Sequence, residues 1–223
     1  MANALPVLSL LETRVLGVLV EKERTVPDTY PLTLNALVAG CNQKSSRHPV
    51  LNASDEEVQE TIDHLKTMSL VMETSGGRVM RYAHNVGKVL AIPPQSVALL
   101  AVLFLRGPQT PGELRINTER LHKFGDLLAV QGFLEELAER PAGALVKELA
   151  RQPGARENRW AHRLSGEPAD EPASSAPHEA SADAIGASEI ATLRAEVAEL
   201  RHQVASLSEV VARIAQELGL PPP

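Results

Sequence analysis

The residues of this sequence best suited to chemistry are cations set among hydroxyls. Lys44, Ser45, Ser46, Arg47 and His48 follow one another without interruption. Such a run suits phosphate, which takes charge from Lys and Arg and hydrogen bonds from Ser. Further arginines recur in two groups, Arg78 with Arg81, then Arg151, Arg156, Arg159 and Arg163. A contrasting set is acidic. Glu56, Glu60 and Asp63 are spaced four and three residues apart, which puts them on one face of a helix. There they would repel phosphate and offer a surface to a protein partner.

Other chemistries find little support. Seven histidines are scattered, and none stands at ligand spacing with another or with Cys41, so no metal or cofactor is expected. There is no phosphate-binding glycine loop, no dinucleotide motif and no nucleophile elbow, and enzymatic activity is not expected. Cys41 is the only cysteine, which excludes an internal disulfide and reads as a small buried apolar residue. His84 and His162 each follow an aromatic residue by two positions, a pattern that hairpin packing accounts for.

The elements that must position the cations can be read from capping and periodicity. Ser9 and Glu12 have capping-box spacing and open a first helix, with Leu11, Val15, Val18 and Leu19 on its apolar face. Pro27 ends that region. Pro31 suits the first turn of a second helix bearing Leu34, Leu37 and Val38, and Gly40 suits its end. A second capping box, Ser54 with Glu57, opens a third helix whose stripe is Val58, Ile62 and Leu65. Residues 70–84 then read as a β-hairpin turning at Gly76-Gly77. The Lys44–His48 run falls in the turn before the third helix, and Arg78 and Arg81 fall on the hairpin. Three helices followed by a hairpin is the order of a winged helix-turn-helix.

The second half repeats that order. Val97 to Leu105 is apolar throughout and predicts a buried helix. Thr110, Pro111 and Glu113 form another helix start, with Pro111 and Leu114 at an offset of 80 from Pro31 and Leu34. Val130, Leu134 and Leu137 match Val58, Ile62 and Leu65 at an offset of 72. A longer hairpin is expected from Leu145 to Leu164, where Arg159-Trp160-Ala161-His162 echoes Arg81-Tyr82-Ala83-His84 at an offset of 78. Trp160 and Tyr82 read as core anchors of the two hairpins. The expected organisation is therefore mainly α with small β-hairpins (α+β): a winged-helix domain at 1–90, a second at 91–164, a disordered acidic linker at 165–188 and a coiled-coil helix at 189–218.

Charge is unevenly placed along these parts. Residues 1–164 carry 19 Lys and Arg against 18 Asp and Glu, a net of +1, whereas 165–223 carry 3 against 10, a net of −7. The acidic balance of the chain thus belongs to its tail and says little about what the body binds. In 189–218, Ile190, Val197, Val204, Val211 and Leu218 take heptad position a, and Leu193, Leu200, Leu207 and Ile214 take d. That pattern favours a parallel homodimer, with a helix folded back on the body as the alternative. The N-terminus lacks the basic start of a signal peptide, and the longest apolar run, Val97 to Leu105, is too short to span a membrane. A cytoplasmic setting is expected.

The runs LETRVLGVLVEKE and PDTYPLTLNALVAGCNQKSSRHPV, with the RYAH of the hairpin, resemble the YceH-like family of bacterial tandem winged-helix proteins over about residues 8–164. The resemblance implies the fold and a bacterial cytoplasm, and it brings no catalytic residues. A winged helix implies contact with double-stranded DNA, the third helix entering the major groove and the wing touching phosphate. Helical geometry argues against deep reading by that helix here. With Val58, Ile62 and Leu65 buried, its outward positions are Glu56, Glu60, Asp63 and Thr67, and the second copy presents Gly132, Glu136 and Glu139. Phosphate contact through the Lys44–His48 turn and the hairpin arginines is the expectation, with a protein scaffold using Glu56, Glu60 and Asp63 as the alternative. Ordinary solvated charge is the plainer account of both sets.

Overall fold

The computed structural model describes residues 7–75 and 79–168. The expected coiled-coil helix, the expected linker beyond Pro168, and Gly76, Gly77 and Arg78 lie outside the described residues. What is described is α+β, with seven α-helices and two antiparallel hairpins. None of the described helices is long and apolar enough to cross a membrane.

Helix α1 (Leu10–Thr25) starts on the Ser9–Glu12 capping box, in which each side chain accepts from the other residue's backbone N–H. From Glu12 to Val20 every residue is buried, so the helix is enclosed on all sides and not on one face alone. It runs between α2 (Leu34–Cys41) and α3 (Asp55–Thr67) on one side and α5 (Pro94–Arg106) on the other. Gly17 permits the closest approach to α5, since a Cβ there would stand 2.9 Å from the Leu105 side chain. Gly40 acts in the same way toward α2. It lies inside the helix, one residue before its last, because Val18 Cγ1 would come within 2.5 Å of a Cβ. The glycine thus serves packing where its type suggests a helix stop.

Pro31 also differs from its sequence reading. A short 3-10 turn (Pro27–Thr29) precedes it, Tyr30–Pro31 is a cis peptide, and α2 begins only after Thr33, whose hydroxyl accepts from the Ala36 N–H at 3.4 Å. Helix α3 begins as its capping box requires, and Val58, Ile62 and Leu65 are fully buried beneath it. Each such aliphatic is worth about 2 kcal/mol of burial. Strands β1 (Val71–Ser75) and β2 (Met80–His84) pair from Val71 with His84 to Ser75 with Met80. A one-turn helix α4 (Val86–Val89), too short for periodicity to reveal, leads to α5.

The second half follows the first element by element. Helices α5, α6 (Pro111–Asn117) and α7 (Leu127–Ala138) precede strands β3 (Val146–Glu148) and β4 (Trp160–His162). The residue before the N-cap of each second helix adds a backbone bridge to its hairpin, Leu32 to Tyr82 in the first half and Gln109 to Trp160 in the second. Tyr82 and Trp160 are both buried, as core anchors should be. The strands of the second hairpin pair over only three residues, leaving a long loop from Leu149 to Arg159. The buried residues of both halves join in one hydrophobic cluster with α1 and α5 at its centre.

Polar groups inside this core are few and specific. Arg14 on α1 is fully buried and donates to the carbonyls of Cys41 at 3.0 Å and Pro49 at 2.6 Å. Arg47 is buried beside it and forms a two-pronged pair with Glu21, Nη2 to Oε2 at 2.6 Å and Nη1 to Oε1 at 3.2 Å. Burial alone would raise the Glu21 pKa, but hydrogen bonds and charge from Arg47 outweigh it and hold the carboxyl below its ordinary range. His162 is half-buried, its ring 4.9 Å from that of Phe104 and its buried Nδ1 without a partner. Burial pushes its pKa down to about 4.

Two outcomes follow from these groups. Arg47→Met leaves the Glu21 carboxylate with Lys22 alone, at 3.4 Å, and should cost about 3 kcal/mol, read as a lower urea midpoint at neutral pH. The unfolded chain protonates His162 near pH 6.5 while the folded chain resists until about 4. Stability from this group is therefore complete above about pH 6.5 and declines as the pH falls toward 4. Urea titrations across that window should show the decline, and His162→Gln should lessen it. His84, whose pKa burial also lowers, acts in the same direction.

Candidate nucleic-acid interface

The turn between α2 and α3, residues 42–53, was expected to offer the basic run to solvent. It does so in part. Ser46 adopts φ +58°, which sends Arg47 inward, and the Arg47 side chain is 0% exposed. Beyond Glu21, its Nε donates to the Gly40 carbonyl at 3.1 Å. Arg47 therefore holds α1 against the end of α2 and does not lie on the surface with its neighbours. Ser46 is half-buried, its hydroxyl accepting from Arg106 at 2.7 Å, and the His48 N–H donates to the Leu105 carbonyl at 2.8 Å. Asn42 closes the loop by exchanging two bonds with Ala53. Lys44, Ser45 and His48 remain exposed.

On the first hairpin, Arg81 is half-buried and donates to the carbonyls of Thr29 at 3.2 Å and Pro31 at 2.7 Å. It ties the hairpin to the approach of α2. Arg78 lies outside the described residues. On α3, Glu56, Glu60 and Asp63 are exposed where helical spacing puts them, and Lys66 is engaged by Asp63 and Glu73. The surface of this helix is acidic from its first turn.

In the second half, Arg151 and Arg156 are exposed on the β3–β4 loop and Arg159 is half-buried. Arg163 pairs with Glu167, which also takes Lys147 at 3.0 Å. Arg151 and Arg156 line an open cleft of about 510 Å³ between the loop and α7, where Trp160 and Gln131 also lie. Four carboxylates, Glu135, Glu139, Glu148 and Glu157, share that lining.

The structure adds a basic group that the sequence reading passed over. Arg115 at the end of α6, with Arg120 and Lys123 in the turn before α7, are exposed and have no ion pair among the described residues. This turn corresponds to residues 42–53 of the first half. The repeat offset was the available signal, because Thr33 and Thr110 cap equivalent helices 77 residues apart and Lys44 then falls near Lys123. The outward face of α7 also differs from its expectation. Leu128, Glu135, Glu136 and Glu139 are exposed, and Gly132 is half-buried. Its first two turns after the Asp126 cap hold no charged residue.

Cys41 is fully buried, and burial pushes its thiol up to about 12 despite the nearby guanidinium of Arg14. It is therefore no ready nucleophile. Among the described residues, no group of three His, Cys, Asp or Glu side chains could hold a metal ion.

Known proteins align with the chain along this same architecture. A family profile described as a protein of unknown function, DUF480, matches residues 8–155. A UPF0502 protein of Dechloromonas aromatica is 62% identical over 168 residues, covering 75% of this chain and 79% of its own length. A UPF0502 protein of Burkholderia orbicola is 54% identical over 218 residues, 98% of this chain and 92% of its own. One of Leptothrix cholodnii is 54% identical over 212 residues, 94% and 95% of the two chains. The similarity to the last two thus runs well past residue 164, into the acidic tail. Matched by the profile over more than half its length and by bacterial relatives over nearly all of it, the chain belongs to the DUF480/UPF0502 family.

Proposed function

We propose that this chain is a non-enzymatic tandem winged-helix protein that binds double-stranded DNA through phosphate contacts from its turns and wings. Each half supplies three helices and a hairpin in winged-helix order, with a backbone bridge that joins the approach of the second helix to the hairpin. The observation that carries the reading is the set of exposed cations with no ion pair among the described residues: Arg115, Arg120, Lys123, Arg151 and Arg156. Lys44, His48 and Lys88 add to it from the first half. Cations without internal partners release bound counterions from DNA, and that release drives sequence-independent affinity. Arg47, Arg81 and Arg163 are engaged within the fold and contribute little to such a surface.

A protein-interaction scaffold is the second reading, favoured by the exposed carboxylates Glu56, Glu60 and Asp63 on α3. The heptads of 189–218, which lie outside the described residues, suit either use through a homodimer.

Anisotropy of a labelled mixed-sequence duplex should report binding by the full-length protein that weakens between about 50 and 200 mM salt. Reversing Arg151 and Arg156 to Glu should weaken binding and make the slope of log affinity against log salt shallower by about 2. Absence of binding at the lowest salt would sink the reading. Sedimentation should give twice the chain mass for the full-length protein and a single chain mass for one ending at Pro168; equal states would refute the coiled-coil dimer.

A further inference from the structure

We propose that the two halves divide the work, and that the second half alone seats the DNA duplex, on a surface made by Leu128, Ile116 and Gln131 between two groups of cations. This inference rests on the phosphate-binding reading above.

The two third helices have opposite surfaces at the end that matters. In winged helix-turn-helix geometry the N-terminal residues of the third helix reach the base edges. Helix α3 carries Asp55, Glu56, Glu57, Glu60 and Asp63 along its first nine residues, all exposed. A groove lined with phosphate repels that end. Helix α7 begins Leu127-Leu128-Ala129-Val130-Gln131-Gly132, and its first carboxylate after the Asp126 cap is Glu135. Beyond the exposed Asp126 carboxylate, which accepts from the Ala129 N–H at the cap, its N-terminal half carries no side-chain charge.

Cations precede that end in sequence, and others share the cleft beside it. Arg115, Arg120 and Lys123 precede it on α6 and the turn. Arg151 and Arg156 lie across the cleft from it, and Gln131 lines the same cleft with them. Gln131 is thereby placed to use its amide on a base edge, where glutamine suits adenine. The carboxylates Glu135, Glu139, Glu148 and Glu157 line the cleft as well, so a phosphate backbone is kept toward the N-terminal end of α7.

Two large aliphatics at this place are otherwise unexplained. Leu128 is 75% exposed and Ile116 is 72% exposed, on successive elements next to the cations. Single exposed aliphatics are ordinary on soluble proteins. Two such side chains on the elements that carry Arg115, Arg120 and Lys123 fit a polyanion that also has apolar groups, and the thymine methyls of the major groove are such groups. The matching turn of the first half is committed elsewhere. Arg47 is buried, Ser46 is bound to Arg106, and the backbone at His48 is bonded to α5.

The test uses the full-length protein and the same labelled duplex. Leu128→Glu places a carboxylate in the first turn of α7, where the helix dipole favours it, so folding is preserved and a thermal melt can confirm that. Affinity is expected to fall about tenfold or more for Leu128→Glu and for Arg120→Glu combined with Lys123→Glu, and less than about twofold for Lys44→Glu. Equal losses in the two halves, or wild-type affinity in folded Leu128→Glu, would overturn the division of labour while leaving DNA binding in place. Failure of the wild-type protein to bind the duplex would overturn the phosphate-binding reading and this inference together. Binding of poly-glutamate as tight as that of duplex would assign the surface to an acidic protein instead.

Discussion

A guanidinium that cannot reach water shapes much of this fold. Arg14 sits in the middle of α1, on a stretch buried on every side, and its charge can be tolerated only where the chain brings oxygens to it. Those oxygens are the carbonyls at the end of α2 and at Pro49 in the following loop, and its Nε remains without a partner. Arg47 repeats the arrangement one layer out, donating to Gly40 and pairing with Glu21. Two arginines thus meet carbonyls at the negative end of α2, where the helix dipole favours cations. A buried charge partnered mainly by carbonyls contributes little net stability. What it does contribute is position, because the 42–53 loop must wrap α1 in one way to supply those acceptors.

That wrapping links the halves. The loop also bonds to α5, through Arg106 to Ser46 and the His48 N–H to the Leu105 carbonyl, and α5 packs along α1 where Gly17 lets it approach. The first turn is therefore part of the junction between halves, and its counterpart in the second half is not. Two copies of one element order meet different neighbours, and the copy left at the surface retains the freer cations. The divergence of the two turns follows from where they sit.

Much of the architecture was legible because it rests on local signals. The capping boxes at Ser9, Ser54 and Thr110 each open the helix they mark, and the stripe Val58, Ile62 and Leu65 is buried as its spacing requires. The repeat was visible in Tyr82 and Trp160, which anchor equivalent hairpins. The misreadings have a common cause in tertiary contact. Gly40 resembles a helix stop, but Val18 needs the space its missing Cβ leaves. Arg47 resembles a surface cation, but a positive φ at Ser46 turns it inward to a carboxylate 26 residues away. No window of sequence contains both partners. Arg115, Arg120 and Lys123 were overlooked because they are dispersed over nine residues, whereas Lys44 to His48 is a contiguous run. Contiguity in sequence proved a poor guide to exposure.

The body's near-neutral charge hides this sorting. Its cations and carboxylates nearly cancel over residues 1–164, so net charge alone argues neither for nor against a polyanion partner. Their placement does argue. Cations that also serve the fold include Arg14, Arg47, Arg81 and Arg106 in the first half or at its junction with α5, and Arg140 and Arg163 in the second, while exposed carboxylates cover α3. Exposed cations without partners concentrate between Arg115 and Arg156. An interaction at a distance shorter than the Debye length, about 8 Å at physiological salt, responds to such local sorting and not to the sum. Two halves with the same element order can therefore present opposite surfaces to one solution, with no change to the core that joins them.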